Sequence, residues 1–365
     1  MTTKELFLKL LKFPSLTPDD AGSFLFIKNY LNDFKVIEQE INGVKNLFLY
    51  KKFNSNKTHL CFGGHLDVVP PGDGWDSDPF TPKEINGKIY ARGTQDMKSG
   101  VCAFLKAVKE TKTFNGTLSM LLTSDEEGPA IDGTIKMLEH LKEINLLPTY
   151  AVVAEPTCES IFGDTIKVGR RGSINGLLTL QGHQGHAAYP SKAKNPINLI
   201  APILDKIAGK SLDNGDEYFQ PSQFVITDIR AGMQVTNVTP GKLEMMFNVR
   251  NSTTTSKQDI ENFIYNHFKE LDYSLNISVS AKPFITNKTS VLVKNIQTSI
   301  KQVLDINTKL STAGGTSDAR FFGEFGIEGV EFGVINDTIH APNENTKLEY
   351  VHNLEKVFFS LISKF

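Results

Sequence analysis

An α/β fold with a mixed, largely parallel sheet, interrupted by an inserted α+β domain, is what this sequence predicts. Three observations carry the prediction. Short apolar, strand-like runs alternate with helical stretches over the first 170 or so residues, the pattern of a parallel sheet covered by helices. After Arg171 the strand candidates alternate polar and apolar residues, and after Phe284 the first style returns. The length, 365 residues, exceeds what one ordinary core supports and suggests about two domains.

In order, residues 2–12 and 18–33 read as helices, LFLY (47–50) and HLCFGG (59–64) as strands, and VVPPGDGWDSDPFTP as a loop. IYARG precedes a helical run from Met97 to about Thr111. GTLSMLLTS (116–124) reads as a buried strand by its continuous apolar character, 132–145 as a helix and YAVVAEP (150–156) as a strand. In the middle region INGLLTLQG, KLEMMFNVR and LNISVSAKPF are strands, with helices near 196–208 and 256–271 and an exposed loop at 209–223. Then come a helix at 288–305, the segment STAGGTSDARFF, the strand EGVEFGV and a closing helix at 347–363. The expected division is 1–171 with 285–365 as one domain and 172–284 as the insertion. No internal repeat or low-complexity tract is evident.

Composition narrows the function classes. Hydrophobic residues make up 40% and charged residues 22%, as in soluble globular chains. A formal net charge of -2 supplies no basic field for nucleic acid or an acidic membrane. Three cysteines are too few for a disulfide framework and fit a reducing compartment. The N-terminus intersperses lysines among its apolar residues and stops at Pro14, unlike a signal peptide. No run approaches the roughly 20 apolar residues of a membrane span. The expectation is a cytoplasmic protein acting on a small molecule.

The chemistry lies in where metal-capable side chains fall. His65 and Asp67 follow HLCFGG, Asp96 sits between IYARG and a helix, Glu126 and Glu127 follow LSMLLTS, Glu155 ends YAVVA, and His340 comes after EGVEFGV. Strand ends of an open parallel sheet share one edge, where ligands bind. Two histidines and several carboxylates form a mixed N/O set suited to zinc, or to cobalt or manganese. The surplus of carboxylates suggests two ions about 4 Å apart, with a water made acidic between them and a spare carboxylate as general base. Singly, each residue has a plainer explanation: a hydrogen-bonded core His, an N-capping Asp96, solvated charge at Glu126–Glu127. Their joint placement at strand ends outweighs those explanations.

GGHLDVVPPGDGW, YARGTQDMKSG, TSDEEG, AEPT and the late TIH together resemble the zinc aminoacylase and carboxypeptidase superfamily, the M20-type metallopeptidases. The motifs keep family order from His65 to His340. The resemblance implies a di-zinc exopeptidase-like catalytic domain and an inserted dimerisation (lid) domain. It implies two Zn2+ per subunit, replaceable by Co2+ at one or both sites. His65, Asp96 and Glu155 would hold one ion and Asp96, Glu127 and His340 the other. Glu126 would be the general base, and Asp67 would hydrogen-bond His65 and fix its tautomer. His186, in GHQGHAAYP, would donate to the oxyanion from the other subunit of a homodimer, with Asn237 on the same face.

Within that superfamily VGRRGS, QVTNVTPG, NVRNST, STAGGTSDARF and INDTIHAPNE resemble the branch that removes a succinyl group from N-succinyl-L,L-diaminopimelate in lysine and diaminopimelate synthesis. Such a substrate carries several carboxylates, which planar guanidinium groups pair with bidentately. Arg170, Arg171 and Arg250 are the candidates, and strand alternation lets only one of the first two face the crevice. Gly315, Thr316 and Asn336 would add polar contacts, although Gly314–Gly315 also reads as a plain turn. Cys61, Cys102 and Cys158 read as structural, and Trp75 as bracing the metal loop or capping the core. Acetylornithine deacetylase or a di-zinc aminopeptidase is the nearest alternative. A non-catalytic metal-stabilised binding protein would not need Glu126. A nucleotide-binding protein lacks its GxGxxG or GxxxxGK[ST] fingerprint.

Overall fold

In the computed structural model, which describes residues 1–365, four parallel strands form the centre of one sheet: Thr117–Thr123, His59–His65, Tyr150–Val153 and Glu328–Glu331, in that spatial order. Antiparallel Val44–Lys52 and Lys35–Ile41 extend it on one side. Thr165–Lys167, antiparallel to Glu328–Glu331, and then Lys309–Ser311 extend it on the other. The sheet is therefore mixed but mainly parallel. His59–His65 and Thr117–Thr123 are buried along their whole length, which is why they read as unbroken apolar runs. Helices Lys98–Glu110 and Leu348–Ile362 close over one face, where Phe62, Phe104 and Phe358 meet at ring separations of 4.5–5.5 Å. Burying each such ring contributes about 1.5–3 kcal/mol. Gly100 lets the first helix come this close: a Cβ there would lie 2.3 Å from that of Ala154, beside Glu155.

The residues cluster into two units, Met1–Gly169 with Ile285–Ser311 and Ser317–Phe365, and Arg170–Phe284 with Thr312–Thr316. This differs from the expected division at two places. Arg170 and Arg171 group with the second unit, and so does the short segment 312–316, which the sequence had placed with the first. Two bonds tie the segment 312–316 into the second unit: Nη1 of Arg170 donates to the Ala313 carbonyl at 3.1 Å, and the Thr312 hydroxyl donates to the Tyr218 carbonyl.

The second unit is a four-stranded antiparallel sheet, ordered Phe224–Ala231, Lys242–Val249, Ser173–Gln181 and Tyr273–Ala281. Its inner face carries Leu178, Leu180, Met245 and Phe247, packed against Ile200 and Ile207 of helix Pro196–Ile207 and Ile260, Ile264 and Phe268 of helix Lys257–Phe268. Asn195 caps the first helix ahead of Pro196, and Ser256 with Asp259 forms a capping box on the second, as the local sequence requires. The stretch 209–223 is the expected loop, largely exposed, though it buries Phe219 and Ser222 and closes on Asp213. That carboxylate accepts from the Gly215 and Ser222 amides and from three hydroxyls, of Ser222, Ser252 and Thr255. No helix is long and apolar enough to cross a membrane.

Candidate metal centre

The register of the parallel strands brings their carboxyl ends to one edge. His65 pairs with Thr123, Gly63 with Val153, and Val153 with Glu331. The chain runs from His59–His65 to a neighbour on one side and then crosses to the other, so this edge is a topological switch point. His65 ends its strand. Glu126 and Glu127 follow Thr123, Glu155 follows Val153, and His340 sits beyond Glu331 in a left-handed backbone conformation, φ 59°. Asp96 precedes helix Lys98–Glu110 but does not cap it: Met97 holds the cap position without a side-chain bond. Its carboxylate turns instead to Nε2 of His65 at 3.0 Å and Nε2 of His340 at 3.4 Å.

Three groups of potential ligand atoms each lie within 4.8 Å of one another: His65, Asp96 and Glu155; Asp96, Glu127 and His340; and His65, Glu126 and Glu127. The first two are the triads that the family resemblance implies, sharing Asp96. His340 Nε2 is 3.0 Å from Glu127 Oε1, and His65 Nε2 is 3.7 Å from Glu155 Oε1 and 4.0 Å from Glu126 Oε2.

Electrostatics show a desolvated surplus of negative charge. Burial pushes the Glu126 carboxyl well above the usual carboxylate range against the pull of His65, and Asp318, Asp96 and Glu127 add repulsion. Burial does the same to Glu155, reinforced by Asp96 and Glu126. Burial would also raise Asp96, but hydrogen bonds from His340 and His65 outweigh it and hold that carboxylate well below its ordinary range. His340 is raised to about 10 by its bonds to Asp96 and Glu127. A bound divalent cation would relieve this repulsion. Oε1 of Glu155 is buried with no hydrogen-bond partner, and buried carboxylates left this way are costly unless paired or ligated. The donor set, imidazole nitrogens with carboxylate oxygens, fits divalent transition ions.

Asp67 is placed differently from expectation. Nδ1 of His65 bonds the main-chain carbonyl of Asp67 at 2.9 Å, and the Asp67 carboxylate is 3.7 Å away. That carboxylate accepts from the main-chain amides of Glu127 at 3.1 Å and Glu126 at 3.4 Å. Burial pushes it up to about 6.

The remaining expected residues divide between the units. In the second unit His186 and Asn237 come together: strand Gly185–His186 pairs with Val238–Thr239, and the Ala187 amide donates to the Asn237 carbonyl at 2.9 Å. Both residues are exposed. Nδ1 of His186 accepts from the Ala188 amide at 3.0 Å, which in the neutral ring leaves the proton on Nε2, a donor. Arg250 is exposed, Arg171 half-buried and Arg170 buried against Ala313. Gly314 is favoured by its φ of +110°, which L side chains rarely adopt, and a Cβ there would lie 2.3 Å from Nη1 of Arg170, whereas Gly315 faces open space. Thr316 belongs with them, and exposed Asn336 belongs to the first unit. His183 pairs with Lys194 through the backbone.

Sequence reasoning missed several residues around the centre. Asp318 is buried, accepts from Thr134 Oγ1 at 2.6 Å and repels Glu126. Arg92, Gln95 and Glu344 form a buried network beneath Asp96 and His340. Charged residues so near the ligands, in YARGTQD and HAPNE, were the available signal. Trp75 lies over Arg92 at 5.2 Å and bonds the Pro71 carbonyl, so it braces the loop. Cys61, Cys102 and Cys158 are buried and free.

Comparison with known proteins decides the family. The profile described as "Peptidase family M20/M25/M40" matches residues 61–364. The chain belongs to this family. As an M20 family member it is a metal-dependent hydrolase. It is 63% identical to a succinyl-diaminopimelate desuccinylase of Aliarcobacter butzleri, covering 100% of both chains, and 53% identical to that of Wolinella succinogenes, covering 98% of both. Among solved structures, the aminopeptidase PepT of Bacillus cereus matches 100% of this chain and 99% of its own, with a TM-score of 0.83 at 19% identity. YXEP of Bacillus subtilis, a dinuclear metal-binding peptidase of the M20 family, matches 99% and 96% with a TM-score of 0.72 at 14% identity. These two likenesses establish the M20 fold for this chain.

Proposed function

We propose that this chain hydrolyses N-succinyl-L,L-2,6-diaminopimelate to succinate and L,L-diaminopimelate, in the cytoplasmic route to diaminopimelate and lysine. The observation that carries the reading is identity of 60–63% over essentially full length to five proteins named succinyl-diaminopimelate desuccinylase. The metal-ligand geometry supports the same chemistry.

His65, Asp96 and Glu155 would hold one zinc ion, and Asp96, Glu127 and His340 a second; cobalt suits the same donors. Bound divalent ions supply Lewis acidity, polarising an amide carbonyl and making water acidic enough to lose a proton near neutral pH. Glu126 takes that proton and returns it to the leaving amine. Its carboxyl is already driven toward the protonated form by burial, which suits a group that must both accept and donate. Asp67 holds the Glu126–Glu127 turn by its amides. His186, with its Nε2 proton exposed, donates to the oxyanion, delivered by a second copy of the chain in a homodimer. Arg250 and one of the pair Arg170 and Arg171 recognise the substrate carboxylates, and Asn237, Gly315, Thr316 and Asn336 add polar contacts.

The test is hydrolysis of succinyl-diaminopimelate and of acetylornithine by the metal-loaded protein. A clear preference in kcat/KM for the succinyl compound is expected; a preference for acetylornithine would transfer the chain to the deacetylase branch. Glu126→Gln should retain metal and lose roughly 10²–10⁴-fold in kcat, the usual worth of a general base.

A further inference from the structure

Four residues downstream of His340, Glu344 is fully buried beside Arg92, itself 1% exposed. Its two carboxylate oxygens accept four bonds. Oε1 takes the amides of Gln95 at 2.7 Å and Asp96 at 3.2 Å. Oε2 takes the Gly93 amide at 2.9 Å and Nη1 of Arg92 at 2.8 Å. Three of these donors are main-chain groups of the turn that presents Asp96. Arg92 then reaches the other way. Nη2 donates to the His340 carbonyl at 3.3 Å and the Pro71 carbonyl at 3.2 Å, and Nη1 also approaches the Ala341 carbonyl at 3.4 Å. Gln95 makes a second tie, its Oε1 accepting from the Thr338 amide at 3.0 Å and its Nε2 donating to the Asn345 carbonyl at 2.7 Å and to the Asp337 carboxylate. Neither Glu344 nor Arg92 offers an atom to the ligand groups.

We propose that Glu344, Arg92 and Gln95 are positioning residues that fix the Asp96 turn against the His340 loop and so set the affinity of the ion held by Asp96, Glu127 and His340. The proposal rests on the two-ion reading above. The asymmetry follows from which loops are tied. His340 and Asp96 are both fastened by this network, whereas His65 ends a paired strand and Glu155 follows one by two residues, neither tied by it. Loosening the network lets His340 drift from Asp96. The triad of His65, Asp96 and Glu155 keeps two of its three members at or just beyond ends of paired central strands. Glu344 is an acceptor at all four bonds, so an amide in its place puts an N–H₂ group against N–H donors. A buried Arg–carboxylate pair that loses one partner is strongly destabilising, so a milder variant is also needed. Gln95→Met keeps the volume and removes the ties to Thr338, Asp337 and Asn345.

The experiment is a titration of metal-free protein with Zn2+ in a metal-ion buffer, counting bound ions and both stepwise affinities for the unsubstituted chain, Gln95→Met, Glu344→Gln and Glu344→Asp. Thermal unfolding of the metal-free forms is measured alongside. The expected result is a loss of roughly 10–100-fold in the step that a His340→Ala control also removes, the range typical of groups that orient ligands, with the other step changed less than threefold (about 0.65 kcal/mol) and Glu344→Asp recovering part of the loss. Equal weakening of both steps, or unchanged steps with only a lower unfolding temperature, would overturn the proposal. An unsubstituted chain that takes up fewer than two ions would overturn the two-ion reading itself, an outcome distinguishable from failure of the network alone.

Discussion

His65 is anchored through Nδ1 to the main-chain carbonyl of Asp67 at 2.9 Å, while the Asp67 carboxylate, 3.7 Å from that nitrogen, accepts its hydrogen bonds from the amides of Glu126 and Glu127. A main-chain anchor survives side-chain substitution. Asp67→Asn should therefore leave His65 oriented and metal content near normal, but it puts one N–H₂ group against an amide of the Glu126–Glu127 turn. Turnover is expected to fall roughly 10–100-fold. Metal analysis beside kcat checks this; loss of metal with the activity would show that the carboxylate itself secures His65.

Removing the ions should unfold the first unit first. Glu126 and Glu155 are pushed upward by burial and by repulsion from neighbouring carboxylates, a burden that bound cations relieve. A ligand present at about a thousandfold over its Kd stabilises by about 4 kcal/mol. The single tryptophan, Trp75, lies in the first unit, so its fluorescence reports that unit alone. A chelator should lower the Trp75 transition, and calorimetry should then show the second unit melting separately; an unmoved transition would contradict it.

His59 gives a pH dependence unconnected with the metal centre. It is 6% exposed, bonds Ser119 Oγ at 2.8 Å, and burial lowers it to about 4 from an ordinary 6.5. The unfolded chain therefore binds a proton near pH 6.5 that the folded chain refuses until about pH 4. Folded stability falls as pH drops through that window, by about 3 kcal/mol in all. His59→Gln in metal-free protein should remove this slope. Denaturant unfolding at pH 7, 5.5 and 4.5 measures it, and identical slopes in both proteins would refute the assignment.

Gly314 and Gly315 should differ sharply despite adjacency. A methyl at Gly314 meets Nη1 of Arg170 and requires a left-handed backbone, φ +110°, while one at Gly315 meets nothing within 4 Å. Gly314→Ala is expected to cost about 1–3 kcal/mol of local strain and to raise KM by displacing Arg170. Gly315→Ala should fold normally. Steady-state kinetics and unfolding temperatures of the pair decide, and equal behaviour would remove the close-packed role of Gly314.

The central strands were legible because both their faces are buried, so HLCFGG and GTLSMLLTS read as continuous apolar runs. Lys35–Ile41 escaped because its sequence, KVIEQEI, has an exposed, polar edge-strand character. Thr165–Lys167 and Lys309–Ser311 are only three residues each and owe their extended form to pairing. Phe224–Ala231 was lost in the polar stretch before it. The side chains gathered at the centre could be picked out in sequence because most lie at or shortly after the end of a strand, as His65, Glu126, Glu127, Glu155 and His340 do, while Asp96 precedes a helix. Asp67 was misjudged because sequence shows which residue neighbours a histidine but not whether its carbonyl or carboxylate turns inward. Glu344 escaped for a related reason: its four partners are mostly main-chain amides, which leave no trace in residue type.

The sharing of Asp96 between triads whose members run from His65 to His340 has a consequence for biogenesis. As the chain emerges from the ribosome, the proposed ligands at 65, 96, 127 and 155 appear first, then most of the second unit, and only afterwards His340 and Glu344. A nascent chain can thus complete the first triad early, but the second pocket closes only after the intervening α+β segment has had time to fold.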